Sequence, residues 1–161
     1  MLVIEQKFYD KLYDKLYDNI ETLKKIAGNS PLQHKHSACL MKGDKIITMG
    51  YNKYLKESVI DNNIVRFSIH AEIDALCKLH KKFIKGHDIL IIRISNSCNY
   101  LKNSRPCNSC IAKLKTRGIR KVYYSNEYGN IVCEFLENMS ELHVSSGHRL
   151  YNKIVNDQVT F

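Results

Sequence analysis

Apolar residues Phe8, Leu12, Leu16, Ile20 and Leu23 recur at spacings of four and three, which places them on one face of a helix. The pattern predicts a helix from about residue 6 to residue 27, ended by Gly28 and the Asn29-Ser30-Pro31 that follows. The stretches His36 to Met41 and Lys45 to Met49 read as two strands, and Lys42-Gly43-Asp44 between them supplies the permissive glycine of a hairpin turn. Residues Glu57 to Phe67 show no clear period and read as a polar connection. Ser68 then offers a cap for a helix starting near Ile69, whose apolar side is Ala71, Ile73, Ala75, Leu76 and Leu79. The continuous run Ile89-Leu90-Ile91-Ile92, within Asp88 to Ser95, suits a central strand covered on both faces. A further helix is expected from Pro106, at the first helical position, through Ile111 and Leu114 to Gly118. Val122-Tyr123-Tyr124 and Ile131-Val132-Cys133 pair best as a hairpin across Glu127 to Asn130, with no helix between them. Beyond Phe135, short helices are expected at Glu137 to His143 and Arg149 to Val155. These elements predict an α/β fold, a three-layer α/β/α sandwich around a mixed sheet of about five strands.

Composition bounds the reading. With 161 residues, 44% of them hydrophobic, the chain suits one core and a single domain over residues 1–161; two prolines and no Gly/Ser-rich run mark no linker. Glu5 interrupts the opening Met1-Leu2-Val3-Ile4, so neither an export signal nor a membrane span is expected, and the location expected is cytoplasmic. Without an export signal, six cysteines point to metal binding or burial rather than a disulfide framework. The formal charge of +9 favours anionic partners, a phosphorylated substrate or nucleic acid, unless the lysines serve solubility alone. The repeat of Tyr-Asp-Lys-Leu at Tyr9 to Leu12 and Tyr13 to Leu16 is too short for a solenoid.

Two stretches carry chemistry. His70-Ala71-Glu72 is unspecific alone, with about 0.35 accidental matches expected in such a chain, but Pro106-Cys107-Asn108-Ser109-Cys110 has only about 0.003. One imidazole and two thiols make three corners of a tetrahedral Zn²⁺ site, leaving Glu72 to move protons. Residues two apart in mid-helix diverge, so His70 and Glu72 can share a site only at the N-terminal end of their helix, where its dipole also favours the carboxylate. Cys107 and Cys110, three apart, would share a helix face where the dipole lowers thiol pKa. Two duller readings compete: a redox Cys-x-x-Cys, and a closed structural zinc with Cys98 as fourth ligand. Cys39, Cys77, Cys98 and Cys133 otherwise read as small buried hydrophobes. Arg105, immediately before the proline, is the first choice for a phosphate partner. Lys113, Lys115, Arg117, Arg120 and Lys121 form either a second basic cluster or a solvated face.

On these two motifs the chain resembles the zinc-dependent cytidine/deoxycytidylate deaminase superfamily, whose signature the pair matches. The resemblance covers roughly residues 35–135, and leaves the N-terminal helix and a tail from about residue 136 to residue 161 outside it. It implies a cytidine deaminase-like fold, Zn²⁺ held by His70, Cys107 and Cys110, and Glu72 as the catalytic proton carrier. It implies substrate contacts at Asn52, Ala71, Arg105 and Pro106. In deoxycytidylate-type members a Gly-Tyr-Asn leads into the pocket and its Asn contacts the sugar; here Gly50-Tyr51-Asn52 is continued by Lys53-Tyr54-Leu55-Lys56 instead of small residues and a proline. The hairpin expected at the end of the sheet is an arrangement of the free-nucleoside enzymes. The implied reaction is hydrolytic deamination of a free cytosine nucleotide or nucleoside, dCMP to dUMP foremost. The alternatives are a deaminase of a base in RNA or single-stranded DNA, and a non-catalytic zinc module that binds nucleic acid. A homo-oligomer is expected.

Overall fold

A computed structural model of the chain describes residues 3–97 and 100–140. Helix α1 spans Val3–Ala27, and Leu16, Ile20 and Leu23 are its buried stripe. The first turns lie outside the core: Phe8, expected on that stripe, is exposed. Strands β1 (Lys35–Lys42) and β2 (Lys45–Tyr51) form the expected hairpin, with Gly43 at a positive φ of 60° in the turn.

The segment from residue 57 to residue 67 is not a loop. Strands β3 (Lys53–Ile60) and β4 (Asn63–Ile69) make a second, separate two-stranded sheet. Asp61 and Asn62 both take positive φ, 50° and 62°, as a tight two-residue hairpin turn requires. The sequence hides this strand pair because neither face is buried. Tyr54, Leu55, Val59 and Ile64 stay exposed, so no alternation of apolar and polar residues records an inside.

Helix α2 (Ala71–Cys77) follows β4 directly. Ser68 therefore lies in a strand, and the N-cap is His70, whose extended backbone (φ −75°, ψ 152°) ends the strand and opens the helix. Strand β5 (Asp88–Ile94) is the central strand anticipated from its apolar run. A two-residue strand not foreseen in the sequence, β6 (Leu101–Lys102), pairs with its C-terminal end. Helix α3 (Asn108–Arg117) ends at Gly118 in the left-handed conformation. Its N-cap is Cys107, so Pro106 precedes the cap instead of occupying the first helical position. Strands β7 (Lys121–Ser125) and β8 (Ile131–Phe135) pair antiparallel, as expected.

The main sheet runs β2-β1-β5-β7-β8, with β5 and β7 parallel and the other pairs antiparallel. Residues alternate between its faces. Cys39, Met41, Leu90, Ile92 and Tyr123 meet Leu16, Ile20 and Leu23 of α1. Ala38, Leu40, Ile89, Ile91 and Val122 meet Ala71 and Ala75 of α2 and Ile111 and Leu114 of α3. That is the three-layer α/β/α sandwich with a mixed sheet. Among the remaining cysteines, Cys39 is buried and Cys133 half-buried, but Cys77 is exposed at the end of α2, against the expectation of burial. Cys98, His143 and the helix expected at Arg149 to Val155 lie outside the described residues, and Leu136–Asn138 form a single 3-10 turn.

Candidate metal centre

Both ligand-bearing motifs enter at helix N-caps. His70 and Cys107 have extended backbones and make no side-chain cap bond, which leaves the imidazole and one thiol free to turn toward each other. Cys110 is the third residue of α3 and is buried. The Nδ1 atom of His70 lies 3.2 Å from Cys110 Sγ and 3.7 Å from Cys107 Sγ. One ligand atom from each of the three residues lies within 4.8 Å of the others.

The donor set and its spacing fit zinc. Bond lengths near 2.3 Å to sulfur and 2.0–2.1 Å to nitrogen at a tetrahedral angle put nitrogen and sulfur roughly 3.5 Å apart, between the two separations found here. Two thiols and an imidazole suit a borderline ion, and the sequence expectation for these three residues is met in their geometry.

The electrostatics are those of a poised cluster. Hydrogen bonding from Cys110 draws the Cys107 thiol down to about 3, and His70 adds to the effect. Its partner Cys110 is pushed upward by that same neighbour and by burial, so the pair readily gives up one proton and holds the second. A hydrogen bond with Cys107 raises His70, with the carboxyl of Glu72 adding to it. Zinc takes thiolates and a neutral imidazole, and binding it would release the retained protons.

Glu72 is in the second position of α2 and is only 5% exposed. Burial raises its affinity for a proton, while His70 and the Cys110 thiol partly favour the anion. A carboxyl shielded from bulk water and coupled to the ligands can exchange a proton beside the metal position.

The scaffold around α2 was less visible in the sequence. A Cβ on Gly50 would stand 2.4 Å from the Ala75 amide nitrogen and 2.8 Å from the Ala71 carbonyl, so only glycine lets β2 approach α2 this closely. Buried Asp74 fastens the same junction: it pairs with Lys53 at 3.1 Å and Lys78 at 3.3 Å and accepts from the Tyr51 amide. On the α3 side, the Ser104 hydroxyl donates to the Ile91 carbonyl, accepts from the Ser125 amide, and lies 2.8 Å from Ser125 Oγ. That buried knot fixes the segment entering Pro106 and Cys107.

Ala71 is fully buried and Pro106 is buried, each adjoining a ligand. Asn52 is buried, and its carboxamide spans two backbone groups, accepting from the His36 amide and donating to the His34 carbonyl. Arg105 is turned toward the Ser140 carbonyl at 3.3 Å and Glu134 at 4.0 Å. In the second basic cluster Arg120 is paired with Asp88, Lys115 donates to the Met139 carbonyl, and Lys121 lies over the Phe135 ring.

The family model described as cytidine and deoxycytidylate deaminase zinc-binding region matches residues 14–126. Among solved structures, the cytidine deaminase of Burkholderia pseudomallei aligns with a TM-score of 0.54 and 17% identity, over 78% of this chain and 95% of that one. A dCMP deaminase of the cyanophage S-TIM5, solved with dCMP and dUMP, aligns with a TM-score of 0.49 and 24% identity, over 70% and 81%. No curated protein matches the chain. No helix among the described residues is long and apolar enough to cross a membrane.

Proposed function

The chain belongs to the cytidine and deoxycytidylate deaminase family of hydrolytic, zinc-binding enzymes, and from that premise we propose that it deaminates a free cytosine nucleotide, dCMP to dUMP foremost. The observation that carries this reading is the buried carboxyl of Glu72, which interacts with His70 and the Cys110 thiol of a cluster of one imidazole and two thiols. A purely structural zinc site gains nothing from a buried carboxyl next to its ligands, whose desolvation is a cost.

His70, Cys107 and Cys110 would hold the metal. Zinc held there would lower the pKa of a water molecule and so supply the nucleophile for attack at C4 of the base. Glu72 would accept one proton from that water at a carboxylate oxygen and pass it to ring N3, then carry the remaining proton of the new C4 hydroxyl to the departing amine. The products are the uracil nucleotide and ammonia. Asn52 retains one N–H and one lone pair beyond its backbone bonds, enough for a sugar hydroxyl. Ala71 and Pro106 would bound the pocket beside the ligands. The net charge of +9 favours an anionic substrate over a neutral nucleoside.

The test is a release assay for ammonia with zinc-loaded protein and cytidine, CMP, dCMP, guanine and short single-stranded RNA and DNA. Turnover greatest on dCMP is expected. Turnover confined to the strands would replace this reading with a nucleic-acid deaminase, and ammonia from none would leave a zinc module.

A further inference from the structure

Arg93 stands out among the polar groups. Its Nε is the one side-chain nitrogen or oxygen among the described residues that is buried without a hydrogen-bond partner. Buried donors left unmatched are costly, more so on a charged group, so an orphaned guanidinium edge calls for an acceptor.

Register and alternation locate it. Arg93 is opposite His36 of β1 and opposite Lys102 of β6, so His36, Arg93 and Lys102 form a row across three strands. In β5, Ile89 and Ile91 pack toward α2 and α3, and Arg93 continues that alternate set, on the sheet side that carries the metal cluster. The row reaches the cluster through His36, whose amide is held by Asn52, while Lys53 next to it pairs with Ile69, the neighbour of His70. Three cross-strand steps and two steps along the chain make a path of about 21 Å from Arg93 to His70, an upper bound on their separation before the reach of the arginine side chain is subtracted.

The chemistry around the row is cationic. The Arg93 Nη2 donates to His34 Nδ1 at 2.7 Å, so that imidazole nitrogen is unprotonated. Burial lowers the His34 pKa, and the charges of Arg93 and Lys102 lower it further. Neither Arg93 nor Lys102 has a carboxylate partner among the described residues. Arg105, by contrast, already has the Ser140 carbonyl and Glu134.

Resting on the deaminase reading, we infer that Arg93, with Lys102 beside it, is the subsite for the phosphate of the substrate, and that the ligand it takes is the phosphate monoester of a free nucleotide. A guanidinium presents its donors as a fork that matches phosphate oxygens. Two cationic side chains also match a monoester, which carries nearly two negative charges at neutral pH, better than a strand's singly charged diester.

The experiment compares dCMP and deoxycytidine as substrates of zinc-loaded wild type, Arg93→Gln, Arg93→Lys and Arg105→Gln. Arg93→Gln should raise KM for dCMP on the order of 10- to 100-fold, the worth of a hydrogen bond to a charged group, with kcat and the deoxycytidine reaction little changed. Arg93→Lys should recover part of the loss, and Arg105→Gln should raise KM for dCMP less than Arg93→Gln does; the reverse order would overturn the assignment. Equal losses on both substrates, or no loss on either, would overturn the assignment. If wild type turns over neither compound, the functional reading fails by itself. The subsite is then judged by thermal shift with inorganic phosphate: stabilisation of wild type that Arg93→Gln loses sustains it, and identical melting in both overturns it.

Discussion

Gly50 and Ala75 are in contact across the junction of β2 and α2, so close that a Cβ on the glycine would overlap the Ala75 amide nitrogen at 2.4 Å. The helix thus rests directly on the strand backbone, and His70 and Glu72 are held by its first turn. Gly50→Ala must move backbone, since the clashing atoms are not the far end of a flexible side chain. We expect destabilisation of about 1–3 kcal/mol, in the range for overpacking a filled core, together with weaker zinc retention. Melting curves on metal-free and zinc-loaded protein would check it; an unchanged melt in both states would show that α2 can lift away without cost.

The thiols and Glu72 should separate in their effects. Cys107→Ala removes one ligand of a cluster joining α2 to α3, so zinc content should fall and the metal-dependent part of the melting temperature should vanish with it. Chelation of wild type should reproduce that loss. Glu72→Gln keeps all three ligands and should bind zinc at wild-type stoichiometry while losing nearly all turnover. Metal analysis alongside ammonia release distinguishes the two variants, and a zinc-loaded Glu72→Gln enzyme that still turns over would remove the carboxylate from the mechanism.

His36 makes the fold sensitive to acid. Burial first, then the charges of Arg93 and His70, lower its pKa from 6.5 to about 4, although a hydrogen bond to the His34 carbonyl works the other way. Because the folded pKa is below the unfolded one, the folded state binds fewer protons. The associated stability is complete above pH 6.5 and is lost as pH falls through about 4. The full loss is on the order of 3 kcal/mol. His36→Gln should therefore show a shallower decline in denaturation free energy between pH 6.5 and 4, with the two proteins diverging least at neutral pH. Parallel declines would place the acid sensitivity elsewhere.

What could be read from the chain follows what is buried. The α1 stripe, the apolar run of β5 and the two metal-binding motifs all leave a record, because a one-sided core fixes a period and ligand chemistry fixes residue type. The β3–β4 hairpin left none, since a strand pair exposed on both faces needs no alternation. Ser68 and Pro106 suit helix starts by residue type, yet both caps went to candidate metal ligands, His70 and Cys107. A ligand turned out of the helix axis needs extended backbone at that point, and capping preferences carry no information about it. Arg93 was equally silent: a lone cation in a strand acquires meaning only once register puts it beside His36 and Lys102.

Ser104 and Ser125 form a buried hydroxyl pair beside the segment that carries Cys107. Ser104 Oγ is buried between the Ile91 carbonyl and the Ser125 amide, and the Ser125 hydroxyl reaches the Lys102 carbonyl in turn. Ser104→Ala removes the acceptor for a buried amide, at a cost of about 1–3 kcal/mol for an unmatched group. The damage lies two residues before Pro106, in the segment that presents Cys107. Zinc loading ties that segment to α2, so the variant's melting deficit should be smaller in the loaded protein than in the metal-free one, since the bound ion resists the same local opening. Thermal melts with and without metal measure both deficits. A deficit that does not narrow on loading would mean that the serine knot supports the sheet alone and contributes nothing to presenting the thiol.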